Sequence, residues 1–267
     1  MIGVAGCGRM GAPMLVALRS AGLDAMGFDI RPSREFGPLE PHISNDVTAF
    51  SQNIDTLITV VRDIPQTESV LFGEQNFISA KSLKRVIVSS TLSPRYVREL
   101  RDRVPHEISL IDAPMSGAQI AAEEARLSFM LGGEPDELDR CMPLFEAMGT
   151  HFHRMGAFGA GMQAKVLNNL LAASNTAMTR LVLDWAKTAG LDETALLALI
   201  HTSSGQNWFA SNFEDIEFAR DGYDIDNTIG ILVKDVESAL DAAPGDADLD
   251  LPRAVQKLIH QLQPKLA

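Results

Sequence analysis

The sequence predicts an α/β protein in two parts: an N-terminal sheet whose strands alternate with helices, then an all-α C-terminal part joined to it by one long helix. Three observations predict it. A strand, a glycine turn and a helix open the chain. Five further strand-like runs come next, separated by helix-capable or polar segments. From about residue 160 onward the apolar pattern is helical.

Residues 1–6, MIGVAG, read as a short buried strand, and Arg9 to Ala21 carries apolar residues at helical spacing through Met10, Met14, Leu15 and Leu18. Between them Gly6-Cys7-Gly8-Arg9-Met10-Gly11 fits GxGxxG. Three glycines alone are weak evidence, but here they follow a strand and open a helix. The first then permits a tight turn, the second lets backbone approach a pyrophosphate, and the third lets helix pack on strand. Gly6, Gly8, Arg9, Met10 and Gly11 are therefore expected to bind the cofactor of a Rossmann-type dinucleotide domain. The plain alternative is an incidental turn.

Strand-like runs at Ala25–Asp29, Thr56–Val61, Arg85–Ser90, Ser109–Asp112 and Leu127–Leu131 extend the sheet. The dinucleotide fingerprint expects an acid about 20 residues beyond the glycines, and Asp29 in GFDIRPSR stands there. Its carboxylate accepts hydrogen bonds from the ribose hydroxyls of NAD and repels the extra phosphate of NADP. Arg31 and Arg34 follow, either as partners for that phosphate or as solvated loop charges. NAD is the expected cofactor and NADP the alternative.

Met162 to Ala189 contains neither proline nor glycine, and Val166, Leu167, Leu170, Leu171, Met178, Leu181, Val182 and Trp185 recur at helical spacing. That is one helix of about seven or eight turns. Gly190 stops it, with Lys187 suited to the negative pole. Asp192 caps a further helix to about His201, and Ile229–Ala242 and Arg253–Leu262 read as two more. The glycine-rich run 156–161 marks the nearest thing to a boundary, which gives expected domains of residues 1–160 and 161–267.

The 267 residues, 46% hydrophobic and 22% charged, suit an ordinary globular protein that needs neither metal nor disulfide to fold. A formal net charge of −12 gives nucleic-acid binding no electrostatic support. No apolar run approaches the roughly 20 residues that span a bilayer, and the glycine-rich start is unlike a signal peptide, so a cytoplasmic protein is expected. Cys7 and Cys141 read as free thiols. His151 and His153 share one face of a strand, but no nearby acid or cysteine completes a metal site, and edge-strand histidines are the simpler reading. Most of the eleven methionines sit in helical apolar patterns and read as core.

Lys165 and Asn169 lie four apart near the start of the long helix, so their side chains emerge on one face about one turn apart. Burial or neighbouring cations lower an amine's pKa from about 10.4, which lets a neutral lysine take a hydroxyl proton. By itself the pair is as compatible with an ordinary exposed face. Its setting says more.

The motifs IGVAGCGRMGAPM, SSTLSP, DAPMSGAQIAAEEARLSFMLGG, GAFGAGMQAKVLNNLL and ILVKDVESA together resemble the 3-hydroxyacid (β-hydroxyacid) dehydrogenase family. That family includes 3-hydroxyisobutyrate dehydrogenase and tartronate semialdehyde reductase, and the resemblance runs nearly end to end in its order and spacing. It implies an N-terminal Rossmann domain, a long joining helix and an all-helical domain. It also implies hydride transfer between NAD(P) and a small hydroxy acid or its semialdehyde, and a homodimer or homotetramer built through the helical half.

Residue by residue, Lys165 matches the family's catalytic lysine and Asn169 its substrate-holding asparagine. Ser116 and Gly117 match the pair that binds the substrate carboxylate. Thr91, Val60 and Val61 match residues near the nicotinamide, and Lys234, with Asp235 beside it, matches a lysine that reaches the cofactor. Ser116 as a turn residue and Lys234 as a solvated charge are the plainer alternatives.

Departures from the pattern cluster around the substrate. Ala118 replaces the usual second glycine, Asn227 stands where the family usually has phenylalanine, and Arg62 follows a strand where an uncharged residue is usual; Trp208 keeps an aromatic found in some members. The expected substrate is therefore more polar than 3-hydroxyisobutyrate. Imine reduction, seen in relatives whose lysine is replaced, is disfavoured by Lys165, and decarboxylating 6-phosphogluconate dehydrogenase resembles a much longer chain. A catalytically silent dinucleotide-binding or interaction module is the alternative from another class.

Overall fold

The computed structural model describes residues 1–265. The chain divides into two compact units, Met1–Lys165 and a second from Val166 onward.

In the first unit, β1 (Ile2–Ala5) runs into α1 (Gly11–Ser20), and β2 (Ala25–Phe28) is followed by a 3-10 segment, Ser33–His42, broken at Gly37. Then come β3 (Ile43–Ser44), α2 (Val47–Ser51), β4 (Thr56–Thr59), α3 (Ile64–Leu71), β5 (Arg85–Val88), α4 (Pro94–Arg103) and β6 (Ser109–Asp112). The unit continues through β7 (Met115–Ser116), α5 (Ala118–Glu123), β8 (Leu127–Gly132), α6 (Pro135–Met148) and β9 (Gly149–Gly156). Asp46, Asp63 and Ser93 accept first-turn backbone N–H groups at the starts of α2, α3 and α4.

Among the described residues the strands form one nine-stranded sheet of order β3-β2-β1-β4-β5-β6-β8-β7, with β9 also on β8. The first six in that order are parallel neighbours, as in the doubly wound nucleotide-binding fold. Strands β6 and β7 pair antiparallel with β8. Alternation divides the strand side chains between two faces, and both are buried. Ile58, Ile87 and Ile111 pack on one side with Leu15, Phe129 and Phe145. Leu57, Val86 and Val88 pack on the other, with a ring cluster of Phe28, Phe50 and Phe77 whose centroids lie 4.9 to 5.4 Å apart.

Strand register aligns the carboxyl ends of the parallel strands. Phe28 and Thr59 both pair with Ala5, Thr59 pairs with Val88, and Val88 with Asp112. Five strands therefore end in one row, and the segments after them leave from a single edge of the sheet.

The long helix α7 (Ala160–Thr188) crosses the division between the units. It starts at Ala160, inside the glycine-rich run 156–161 where the boundary was expected, and a buried carboxylate from β6, a partner invisible in the local sequence, accepts its first-turn N–H groups. It ends as expected: Gly190 takes φ +75° and the Leu191 N–H bonds the Ala186 carbonyl. The second unit continues with α8 (Glu193–His201), capped by Asp192, then α9 (Trp208–Ser211), α10 (Thr228–Asp241) and α11 (Asp250–His260). Ala173, Ala177, Ile229, Val233, Val236, Val255 and Ile259 form a core there. None of the described helices is long and apolar enough to cross a membrane.

Arg180, 1% exposed, ties this unit to its C-terminal segment. Its guanidinium donates to the carbonyls of Ala219 and Asp221 at 2.8 Å and of Gln263 at 2.5 Å. Each buried carbonyl left unpaired costs about 1–3 kcal/mol. Arg180→Met is therefore expected to destabilise the protein by about 3 kcal/mol or more in urea unfolding; a loss below about 1 kcal/mol would show the clamp to be dispensable.

Candidate active site

The glycine turn leaves the end of β1. Gly6 takes φ +93°, and a Cβ there would stand 2.7 Å from the Val60 carbonyl oxygen. A Cβ on Gly11 would come within 1.9 Å of the Gly6 carbonyl, so helix and turn touch backbone to backbone. A Cβ on Gly8 would meet nothing within 4 Å. Two glycines are thus required by contact and the third borders open space, a cradle that fits a ligand's pyrophosphate. Arg9 is exposed and Met10 is half-buried just ahead of α1.

Asp29, one residue past β2, is buried and receives four donors. The Cys7 N–H reaches its Oδ2 at 2.9 Å, and the Arg31 N–H and Nε reach Oδ1 at 3.0 and 3.1 Å. Arg31 Nη2 reaches Oδ2 at 3.2 Å and also donates to the Cys7 carbonyl. Burial raises the carboxyl's pKa, but the donors from Arg31 and Cys7 outweigh it and hold the group below its ordinary value. Sequence reasoning set Asp29 and Arg31 against each other as cofactor selectors; the structure pairs them, with the guanidinium also 4.6 Å over the Phe36 ring. Burial pushes the Cys7 thiol up to about 12, so it behaves as a small apolar residue in the turn. Val60 and Val61 follow β4, and the Val61 N–H donates to Ser90 Oγ at 2.9 Å, immediately before Thr91. The predicted cofactor residues of this unit therefore gather past the ends of β1, β2, β4 and β5.

Along the same edge, β7 presents Ser116. Lys165 Nζ donates to Ser116 Oγ at 3.1 Å, and Lys165 is only 8% exposed. A buried amine needs polar partners, and this hydroxyl is one of them. After Ser116 the backbone turns through Gly117 at φ +137° and Ala118 at φ +53°. The position where the resemblance calls for a second glycine is thus a left-handed one, and Ala118 occupies it under strain.

Sequence reasoning gave Asp112 no role. It is fully buried and accepts the N–H groups of Gly159 and Met162. Burial pushes its carboxyl up to about 6 against the pull of those amides. The only sequence signal was an acid inside the DAPMSG motif.

In the second unit, Asn169 Nδ2 donates to Asp235 Oδ2 at 2.5 Å. The other oxygen of this buried carboxylate accepts no hydrogen bond, but Lys234 Nζ lies 3.5 Å from it. Asn169, Lys234 and Asp235 are thus one polar group, although α7 and α10 are far apart in sequence. Asn227 caps α10: its Oδ1 accepts the Gly230 N–H at 3.0 Å and its Nδ2 donates to the Gly222 carbonyl at 2.8 Å. Arg62 is exposed just beyond β4, with its N–H on Gln66 Oε1. Trp208 is exposed at the start of α9, and His151 and His153 are exposed on β9.

Comparison with known proteins bears on family and fold. Residues 1–157 match the family profile described as the NAD binding domain of 6-phosphogluconate dehydrogenase. Residues 159–266 match that described as NAD-binding of NADP-dependent 3-hydroxyisobutyrate dehydrogenase. The chain is 30% identical to a 3-hydroxyisobutyrate dehydrogenase of Pseudomonas aeruginosa over 76% of this chain and 70% of that one. It is 34% identical to the 2-hydroxy-3-oxopropionate reductase of Escherichia coli over 72% and 66% respectively. Among solved structures, the 3-hydroxyisobutyrate dehydrogenase of Mycobacterium tuberculosis with L-serine superposes with a TM-score of 0.83 at 26% identity, covering 98% of this chain and 95% of that one.

A left-handed backbone costs a non-glycine residue roughly 1–2 kcal/mol, and glycine's extra freedom in the unfolded chain offsets part of any relief. Ala118→Gly is expected to raise stability by about 0.5–1 kcal/mol, measured by urea unfolding. A loss of stability would show that the methyl contributes more by packing than it costs in strain.

Proposed function

The chain belongs to the 3-hydroxyacid dehydrogenase family, and from that premise we propose that it interconverts a small 3-hydroxy acid and its semialdehyde with Lys165 as the group that moves the proton. It is an NAD(P)-dependent oxidoreductase of hydroxy acids. The observation that carries the reading of Lys165 is its buried amine in contact with Ser116, on the sheet edge that also bears the glycine cradle.

The nicotinamide cofactor, when bound, supplies the acceptor for the substrate's hydride or, in reduction, its donor. The protein's own residues do the rest. We assign the pyrophosphate to the backbone of Gly6, Gly8, Arg9, Met10 and Gly11, the adenosine ribose to Asp29, the nicotinamide end to Val60, Val61 and Thr91, and a further cofactor contact to Lys234. The Ser116 hydroxyl and the Gly117 N–H hold the substrate carboxylate, and Asn169, itself held by Asp235, orients the substrate. In oxidation the Lys165 amine takes the hydroxyl proton as hydride leaves; in reduction it returns that proton to the new alkoxide oxygen.

NAD is the proposed preference. Burial and the Cys7 N–H keep Asp29 in place whichever way the half-exposed Arg31 turns, so a 2′-phosphate would meet a fixed negative charge. The proposed substrate is hydroxylated and more polar than 3-hydroxyisobutyrate. Arg62 supports this by adding a positive charge past β4, and the relative that acts on 2-hydroxy-3-oxopropionate supports it by example. Two buried free cysteines suit the reducing cytoplasm, where we place the protein.

We propose further that the protein is a homodimer or homotetramer joined through α7. Leu167, Leu171, Ser174, Met178, Leu181 and Trp185 succeed one another at the alternating four- and three-residue steps of a coiled-coil seam. Leu167, Leu171, Met178 and Trp185 are each more than half exposed. A second copy of the same helix fits such a stripe.

Two measurements test these readings. In a panel of small hydroxy acids, with tartronate semialdehyde and succinic semialdehyde run in reverse, hydroxylated substrates should turn over faster than 3-hydroxyisobutyrate, with a lower KM for NAD than for NADP. Lys165→Ala should lower kcat by a factor on the order of 10²–10⁴ without changing NAD affinity. Inactivity across the panel would favour a silent binding module, and retained turnover in the variant would remove the lysine from its role. For the second reading, light scattering should find an oligomer for the native chain and a monomer for the doubly substituted Leu171→Asp, Trp185→Asp protein; a monomeric native chain rejects the interface.

A further inference from the structure

The first turn of a helix leaves backbone N–H groups with no partner inside the helix, and where that turn is buried they must find acceptors elsewhere. Gly159, which precedes α7, has no side chain with which to cap it. The acceptor comes from the sheet. Asp112, the last residue of β6, receives the Gly159 N–H on Oδ1 at 2.7 Å and the Met162 N–H on Oδ2 at 2.5 Å, and the Gly161 N–H is also directed at it. Close packing holds the carboxylate where it is. A Cβ on Gly132 would stand 2.2 Å from Oδ1, and one on Gly161 would stand 3.0 Å from Oδ2.

This clamp grips two pieces of chain. Met162 is three residues, about one helical turn, before Lys165. Four residues beyond Asp112, past Ala113 and Pro114, the chain reaches Ser116. One buried side chain therefore fastens the helix that carries the amine to the strand end that leads to the hydroxyl. The 3.1 Å Lys165–Ser116 contact closes the loop so formed.

We propose that Asp112 is a positioning residue that acts through Lys165, fixing the start of α7 so that the amine meets its partner; the inference rests on reading Lys165 as the proton carrier. Asparagine can accept one of the two amides but turns an NH₂ toward the other, so Asp112→Asn lets the helix start shift. A misplacement of about 1 Å costs on the order of 10²-fold in rate.

The test compares Asp112→Asn, Lys165→Ala and the two combined. Asp112→Asn is expected to lower kcat about ten- to hundredfold with the KM for NAD unchanged. It should still melt cooperatively, and the amides of Gly159 and Met162 should exchange hydrogen faster while those of β5 do not. In the combined variant it should cost nothing beyond Lys165→Ala, because a residue that acts through another has nothing left to act on. If the Asn variant does not melt cooperatively, Asp112→Ser, whose hydroxyl serves one amide, takes its place. Losses that multiply in the combined variant overturn the inference alone, as does native kcat in Asp112→Asn. Native turnover in Lys165→Ala overturns the proton-carrier reading and this inference with it.

Discussion

The register of five parallel strands is the constraint on which the candidate site depends. Backbone N–H and C=O groups buried inside a sheet must pair, so the chain cannot slide one strand against its neighbour without leaving them unsatisfied. A one-residue slip would also turn every side chain of the strand to the opposite face, and both faces are packed. With Phe28, Ala5, Thr59, Val88 and Asp112 held in one row, the glycine turn, Asp29, Val60 and Thr91 have little freedom to stand elsewhere. Ser116 comes four residues after the last strand of that row. The candidate residues of this unit lie beyond the strand ends, and the ladder decides where the segments that carry them begin.

Charge is buried along that edge, and each buried charge is answered differently. Backbone amides answer Asp112, and two amides with a guanidinium answer Asp29. Lys165 meets a hydroxyl. Burial pushes the Asp112 carboxyl up in spite of its amide donors, whereas at Asp29 the donors from Arg31 and Cys7 outweigh burial and hold the carboxyl down. The edge also tolerates strain at Ala118, in a left-handed conformation two residues after the one that meets the lysine. Such features lower stability locally, and the apolar layers on both sides of the sheet supply the surplus that allows them.

The elements with long, regular patterns were legible in the sequence. The buried strands from β1 to β6, apart from the two-residue β3, and the helix running to Gly190 were visible because apolar spacing and glycine punctuation are local signals. Lys165 and Ser116 were legible as a family pattern, but their 3.1 Å contact was not, since 49 residues separate them. Asp112 escaped for the same reason: its partners are amides 47 and 50 residues away, and backbone carries no side-chain signature. Asn227 stood out in the sequence only as a change in polarity, and its place just ahead of α10 makes it a helix cap as well. Ala118 showed the reverse case, a substitution for glycine noticed in sequence whose meaning, a positive φ, only the backbone supplies.

A chain of net charge −12 whose expected ligands are themselves anions poses a question that the geometry answers. At physiological ionic strength screening acts over about 8 Å, so the summed surface charge contributes little to the energy of a ligand already seated and mainly slows its approach. Local groups then decide binding. At the glycine turn they are oriented N–H dipoles at the start of α1, which need no formal charge to hold a pyrophosphate. At Asp29 the carboxylate stays fixed behind a half-exposed guanidinium that offsets part of its charge toward solvent without removing it. At Ser116 the buried amine of Lys165 lies within hydrogen-bond reach of the hydroxyl proposed to hold a carboxylate. A site of the proposed kind does not need a basic surface, and an acidic exterior is compatible with anionic ligands where a few fixed dipoles and one enclosed donor, rather than the field of the whole molecule, meet them.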